Sequence, residues 1–276
     1  MPLVQYACSN CGHWQPWFAH QHPLFCPVCT DVRNALPEDG WDFVPVDEVG
    51  KRLTTSWQEI MPGLVGFSCS PKFGLGATGW LLLRKDGNVA FEGAPYYSRD
   101  AIEEIRRLGG IRVLASSHPH GYGALWQLQE AFDPILTVHR DDLRYTKAFR
   151  VTWPADDIHE LAPGLTMYHT GGHYEGHSIL YDQERKAVFC GDALKIDYDK
   201  HGDPRAISCH KGFHYEIPLS HSELQKYRNV FSDLPFERAF TPFEHAEGVT
   251  RRHALALYDL LLSGQPHTTA VSLEEL

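Results

Sequence analysis

Four cysteines near the start of the chain have the spacing of a metal site. They are Cys8, Cys11, Cys26 and Cys29, which form two Cys-x-x-Cys sequences separated by fourteen residues. Each Cys-x-x-Cys turn directs two thiolates at one ion, and two facing turns complete a tetrahedral four-sulfur site that suits zinc or iron. In a reducing compartment such clusters bind metal more often than they form disulfides. The spacing therefore predicts a closed metal site within residues 1–45, a segment that we call the knuckle.

The knuckle resembles a zinc ribbon. It is also similar to the rubredoxin-like module of rubrerythrins, which carries Cys-x-x-Cys-Gly and Cys-Pro-x-Cys at a similar separation. The first resemblance implies structural zinc that folds a segment too small to fold alone, and the second implies an iron electron-transfer centre. We favour zinc and keep iron as the alternative, because four-sulfur geometry does not choose between them. The nearby His13, His20 and His22 are expected to be exposed polar residues.

A second set of ligand-type side chains follows predicted strands in the rest of the chain. The positions are His118 and His120 after the apolar segment 111–116, His173 in the glycine-rich turn 170–178, Asp192 after the apolar segment 187–190, and His245 before the last predicted helix. Two histidines two residues apart at a strand end point to the same side, so both can bind one ion. Loops at strand ends commonly carry the sites of α/β proteins. These five residues are therefore candidate metal ligands.

The elements that must position these ligands alternate between strands and helices. The segment Asp100 to Glu103 predicts a capping box that opens a helix ended by Gly109 and Gly110. The predicted strands are residues 63–69, 79–84, 88–92, 111–116, 135–139, 165–169, 178–181 and 187–190, and further helices are predicted near residues 124–131, 220–231 and 249–262. A strand, a helix and a strand within a few dozen residues indicate an α/β layer fold.

The histidine and aspartate series in this order resembles the metallo-β-lactamase superfamily. The resemblance covers residues 60–262 and implies a four-layer αββα sandwich, here over residues 46–276, with the metal site at one edge of the two sheets. Position by position, it implies that His118, His120 and His173 are ligands, that Asp192 is the bridging carboxylate and that His245 is the last ligand. His177 matches no ligand and is expected to support the site or the start of a strand.

One departure from the family pattern alters the expected chemistry. The aspartate and histidine that complete His-x-His-x-Asp-His fall on Tyr122 and Gly123. Glycine has no donor atom and neutral tyrosine is a poor ligand, so we expect a mononuclear site on His118, His120, His173 and Asp192, with His245 nearby. These four ligands would close a tetrahedral shell, so activity requires either that Asp192 serves as the catalytic base or that the metal becomes five-coordinate. Tyr122 either donates a proton near the leaving group or packs in the space of the second ion.

Three functions fit this set of residues. The first is metal-assisted hydrolysis, in which zinc polarises a carbonyl or phosphoryl oxygen. The second is the chemistry of a mononuclear non-haem iron oxidoreductase that resembles persulfide dioxygenases, with the knuckle as its electron-transfer centre. The third is a non-catalytic metal-binding or sensor protein, which the lost ligands favour. We take hydrolysis as the first choice because it is the commonest activity of the superfamily.

Composition limits the partners. The chain has 276 residues, of which 25 are lysine or arginine and 35 are aspartate or glutamate, giving a net charge of -10. Such an acidic surface argues against nucleic-acid or anionic-membrane binding, and no signal peptide is evident, so a cytoplasmic location is expected. A small-molecule substrate is expected instead. Residues 195–218 contain cations suited to an anionic group, namely Lys195, His201, Arg205, His210, Lys211 and His214, together with Tyr215.

Overall fold

The computed structural model describes residues 1–34, 36–212, 216–264 and 270–276. The chain divides into two compact units, Met1–Ala155 and Asp156–Leu276. The knuckle lies in the first unit, and the sequence-based division into residues 1–45 and 46–276 stays a prediction. Both units combine sheets with helices, so the α/β class is confirmed. No helix among the described residues is long and apolar enough to span a membrane.

The first unit holds a small sheet and a large one. Its strands are β1 (Leu3–Cys8), β2 (Trp14–Phe18), β3 (Phe43–Pro45), β4 (Thr54–Met61), β5 (Leu64–Ser70), β6 (Gly79–Leu82), β7 (Val89–Phe91), β8 (Val113–Ala115) and β9 (Ile135–Thr137). The small sheet has the order β2-β1-β3, and the large sheet runs from β4 to β9 in chain order. The pairs β7–β8 and β8–β9 are parallel. The helices are α1 (Val46–Arg52), α2 (Arg99–Arg107) and α3 (Leu125–Phe132).

The start of α2 differs from the sequence prediction. Ser98, rather than Asp100, is the N-cap residue, and its hydroxyl accepts a hydrogen bond from the backbone N–H of Ala101 at 3.3 Å. The capping box predicted at Asp100 is therefore wrong, because that residue already lies inside the first turn. The helix itself and its end before Gly109 are confirmed. It leads from β7 to β8, the strand that precedes the first histidine motif.

The knuckle packs closely on the rest of the first unit. The Trp14 indole N–H donates to the carbonyl oxygen of Pro95 at 2.9 Å, and its ring meets the ring of Trp126 edge to face at 5.4 Å. His13 is buried at 3% exposure, so the expectation that it is exposed is wrong. Burial lowers the pKa of His13 to about 4, which keeps this imidazole neutral at pH 7.

The second unit has its own large sheet. Its strands are β10 (Ile158–Ala162), β11 (Leu165–His169), β12 (Ser178–Asp182), β13 (Ala187–Phe189), β14 (Lys195–Tyr198), β15 (Pro204–Ser208), β16 (Arg238–Phe240), β17 (His245–Glu247) and β18 (Val271–Ser272). The large sheet has the order β10-β11-β12-β13-β16-β17, and β14-β15-β18 form a small one. The helices are α4 (His221–Ser232) and α5 (Arg251–Leu262), whose Tyr227, Phe231 and Tyr258 pack in the core.

The segment predicted to face the substrate is more ordered than a loop. Residues 195–208 form the antiparallel pair β14 and β15. His214 and Tyr215, which the sequence placed in the same segment, lie outside the described residues. The cation nearest in sequence to Asp192 is Lys195, at the first position of β14.

Candidate metal centres

The four knuckle cysteines meet as predicted. Their Sγ atoms all lie within 4.8 Å of one another, with Cys8 and Cys29 at 3.7 Å and Cys11 and Cys26 at 3.5 Å. A tetrahedron with metal–sulfur bonds of 2.3 Å has edges of about 3.8 Å. All four side chains are buried. The arrangement fits a closed structural ion, and either zinc or iron suits the donor set.

The first Cys-x-x-Cys turn is built by the backbone at the end of β1. The N–H of Gly12 donates to the carbonyl of Cys8 at 2.8 Å, and the N–H of Cys8 donates to the carbonyl of His13 at 2.9 Å. Gly12 has φ +82°, a conformation that glycine adopts at little cost. The second turn is closed by the N–H of Thr30, which donates to the carbonyl of Cys26 at 3.1 Å. The sequence signal for this centre is therefore local.

His118 lies just beyond β8, above a buried carboxylate that the sequence analysis missed. Glu92 is 1% exposed and accepts hydrogen bonds from the hydroxyls of Ser116 and Ser117. Because Ser117 gives its only proton to this carboxylate, its oxygen accepts from Nδ1 of His118, 2.7 Å away. The lone pair of His118 is then on Nε2, the atom through which this ring would bind a metal.

His120 lies in the short 3₁₀ turn Pro119–Gly121. Its ring centroid is 5.0 Å from that of His118, so the two predicted ligands are neighbours. Its Nε2 atom is 2.6 Å from Oδ1 of Asn34 in the knuckle, a residue that the sequence analysis did not single out. Asn34 and Glu92 carry no recognisable motif, since their partners lie far away in the sequence.

His173 and Asp192 face each other in the second unit. Nε2 of His173 is 3.2 Å from Oδ2 of Asp192. Nδ1 of His173 meets the backbone carbonyl of Lys211, which can only accept, so this nitrogen carries the proton. In the neutral form of the ring the lone pair is on Nε2, the atom that faces the carboxylate oxygen of Asp192. The separation fits two ligands of one ion, since ligands about 2.1 Å from a tetrahedral ion lie about 3.4 Å apart.

A further histidine holds Asp192 in place. The backbone N–H of Asp192 donates to Nε2 of His177 at 3.1 Å, and the other ring nitrogen of His177 lies 2.6 Å from the hydroxyl of Thr170. This contact agrees with the expectation that His177 supports the site without binding metal. His177 is fully buried, so its contact fixes the turn that presents the Asp192 carboxylate.

Tyr122 and Gly123 occupy the positions of the missing family ligands. Tyr122 is 1% exposed, and its ring packs edge to face against Phe149 at 5.3 Å. Gly123 has φ +41°, and a Cβ there would lie 2.2 Å from the carbonyl oxygen of Gly93. A histidine at position 123 is therefore sterically excluded by this backbone. The contact of Tyr122 with Phe149 fits the packing alternative, and its catalytic role stays a prediction.

The last predicted ligand lies on the surface of its strand. His245 is exposed, and its ring stacks on Phe240 at 5.9 Å, so its role as a ligand stays a prediction. The preceding residue, Glu244, is more enclosed. Burial raises the pKa of its carboxyl group, and the charge of Asp192 adds to the effect, whereas Lys195 opposes it. The sequence analysis missed Glu244 because it searched this turn for a histidine.

Comparisons with known proteins agree with the fold. Residues 101–230 match the model of the metallo-beta-lactamase superfamily. The uncharacterized protein YmaE of Bacillus subtilis (strain 168) is 27% identical over 96% of this chain and 100% of its own length. A metallo-beta-lactamase from Pontibacter korlensis superposes with a TM-score of 0.55 at 13% identity, covering 75% of this chain and 99% of its own.

A second solved structure has a similar fold. It is the metallo-beta-lactamase FIM-1 from Pseudomonas aeruginosa in its mono-zinc form, which superposes with a TM-score of 0.53 at 12% identity over 75% of this chain. FIM-1 itself is covered over 96% of its length. The match over residues 101–230 and the two superpositions together support a metallo-beta-lactamase-like fold for this chain.

Proposed function

We propose that the protein is a metal-dependent hydrolase in which His118, His120, His173 and Asp192 bind one divalent ion. The observation that carries the proposal is the apposition of His173 Nε2 and Asp192 Oδ2 at 3.2 Å, with the other nitrogen of His173 committed to a carbonyl. The match to the superfamily model spans all four residues. The mono-zinc form of FIM-1 is consistent with a single ion in this fold.

The side chains define how such a centre would work. The ion would act as a Lewis acid that polarises a carbonyl or phosphoryl oxygen of the substrate. Asp192 would accept the proton of the attacking water through a carboxylate oxygen. Ser117 and the Lys211 carbonyl hold His118 and His173 in the tautomers that leave Nε2 of each ring without a proton. The proposed reaction does not require a proton from Tyr122.

We propose further that the substrate is a small molecule with an anionic group. Lys195 follows Asp192 by three residues, and its side chain is 28% exposed with its Nζ 3.8 Å from Oε1 of Glu244. This distance is long for an ion pair, so the ammonium group keeps the capacity to bind a second anion. A substitution Lys195→Gln would then raise KM while changing kcat little.

The test is metal analysis combined with hydrolysis assays on the full-length protein. We expect two metal equivalents in the wild type and one in His118→Ala, with the knuckle ion retained. The same variant should lose hydrolysis of whichever compound in a panel of chromogenic esters, thioesters, lactones, phosphodiesters and cephalosporins the wild type cleaves. His221→Ala, at an exposed position in the first turn of α4, is the matched control.

Two results would contradict the proposal. One is a His118→Ala variant with the full metal content of the wild type. The other is iron at the histidines with an oxygen-dependent reaction, which would support the oxidoreductase alternative instead. A knuckle that absorbs visible light and is bleached by dithionite would in addition identify its ion as iron.

A further inference from the structure

The contact between Asn34 and His120 joins the knuckle to the histidine motif. The two residues are 86 positions apart in the sequence, and both belong to the first unit. Oδ1 of Asn34 lies 2.6 Å from Nε2 of His120. His120 is buried at 8% exposure, so this hydrogen bond is shielded from competing solvent.

The direction of this hydrogen bond follows from the second contact of Asn34. Its amide nitrogen donates to the backbone carbonyl of Val28 at 2.8 Å, which fixes the amide so that Oδ1 faces His120. An amide oxygen can only accept, so Nε2 of His120 carries the proton. The lone pair of His120 is then on Nδ1. Asn34 thus selects the tautomer in which Nδ1 is the metal-binding atom.

The position of Asn34 depends in turn on the second Cys-x-x-Cys turn. Val28 lies between Cys26 and Cys29, and the backbone N–H of Asn34 donates to the carbonyl of Asp31 at 3.0 Å. Asp31 is held by Arg33 and by the hydroxyl of Tyr145, which donates at 2.8 Å. An ion on the four thiolates would fix this turn. Without it, the two turns would be joined by weaker contacts such as the hydrogen bond from Nδ2 of Asn10 to Sγ of Cys29 at 3.3 Å.

We propose that Asn34 is a positioning residue through which an ion in the knuckle sets the tautomer and orientation of His120. The use of His120 as a ligand rests on the proposed function, whereas the tautomer can be measured without a metal at the histidines. Hydrogen-bond partners of metal-bound histidines change metal affinity by about 10–100-fold when they are mutated. The knuckle would therefore be a structural cofactor site that prepares a second centre.

The experiment follows the ring nitrogens of His120 by long-range ¹H–¹⁵N NMR in histidine-labelled full-length protein, with His120→Gln to assign the signal. The first arm uses the His118→Ala background and adds zinc to metal-free protein. Filling of the knuckle should convert the His120 signal to the Nε2–H form. His173 is the internal control, because its proton on Nδ1 is held by the Lys211 carbonyl. An unchanged His120 signal would overturn the proposal.

The second arm compares two substitutions of Asn34 in the otherwise wild-type protein. Asn34→Leu removes the acceptor and should abolish the preference for Nε2–H and weaken zinc binding at the histidines by about 10–100-fold. Asn34→Asp keeps an acceptor oxygen and should retain the tautomer. Equal tautomer populations in Asn34→Leu and the wild type would overturn the proposal. If the wild type bound no metal at the histidines, the proposed function would fail while the tautomer result stood.

Discussion

The two candidate metal centres differ in where their ligands come from. The knuckle takes four cysteines from one short stretch of the first unit, between Cys8 and Cys29. The proposed His/Asp centre takes its ligands from positions spread along the sequence between His118 and Asp192. A local ligand set can fold around its own ion, whereas a dispersed set requires the surrounding fold first. The comparison predicts that metal loss affects stability at the knuckle and chemistry at the histidines.

The largest effect on stability is expected from the knuckle. Cys11→Ser removes one thiolate of a buried tetrahedron, so the ion and the turns around it should be lost. Structural zinc sites contribute on the order of 10 kcal/mol of apparent folding free energy in small domains, and we expect a loss of several kcal/mol. Thermal unfolding and metal content measure it. Cys69→Ser, outside the knuckle, is the control, and an unchanged melting temperature in Cys11→Ser would contradict the comparison.

The opposite pattern is expected at Asp192. Asp192→Asn removes the carboxylate that faces His173, so hydrolysis should fall by about 10²–10⁴-fold with loss of one metal equivalent. The melting temperature should change little, because the unit keeps its apolar core. Rates and unfolding curves measured on the same preparation provide the check. Asp199→Asn, in the turn between β14 and β15, should behave as wild type. If Asp192→Asn lowered the melting temperature as much as Cys11→Ser, the predicted difference between the two centres would be contradicted.

A smaller structural effect is expected at Gly123. Gly123→His restores the residue type of the family pattern, but its Cβ would meet the carbonyl oxygen of Gly93 and its φ of +41° is costly for histidine. We expect destabilisation of about 1–3 kcal/mol and no additional metal equivalent. Gly202→His, with φ +88° and no atom within 4 Å of its Cβ, isolates the effect of φ alone. An additional bound ion in Gly123→His would show that only the side chain was missing.

The smallest effect is expected in the pH dependence of stability at His253, a residue outside both candidate metal centres. Burial, assisted by the charge of Arg252, lowers the pKa of His253, whose Nδ1 accepts from the N–H of Thr250 at 3.2 Å. Its folded pKa is below the unfolded value of about 6.5. Below that pH the unfolded chain binds more protons, so the free energy of unfolding decreases on acidification. His253→Gln keeps an acceptor without titrating and should flatten this slope in denaturant titrations, and an equal slope in this variant and the wild type would contradict the prediction.

The sequence predicted each centre to a different depth. Spacing alone was enough for the knuckle, because both halves of the site are turns within a few residues of each other. His118 and Asp192 were found as ligand candidates at strand ends through the family resemblance. Glu92 and Asn34 could not be found, because their hydrogen bonds to Ser117 and His120 depend on tertiary packing. The helix start at Ser98 was missed because two capping residues compete there.

Residues 122 and 123 also show what the sequence alone could not predict. The sequence showed that Gly123 cannot donate to a metal. Only the close approach of the Gly93 carbonyl shows that no larger residue fits there. The sequence likewise left two roles open for Tyr122, and burial against Phe149 supports packing. A motif predicts the chemistry that a side chain offers, whereas the backbone around it determines which side chains are possible.

The edge-to-face pair of Trp14 and Trp126 also has a spectroscopic consequence. Two indoles at 5.4 Å couple their electronic transitions, and the coupling depends steeply on their separation and angle. One indole belongs to the knuckle and the other to α3. Circular dichroism of this exciton pair therefore reports, without a label, whether the knuckle is packed against α3. The signal can be followed in the unmodified protein within milliseconds of adding a chelator.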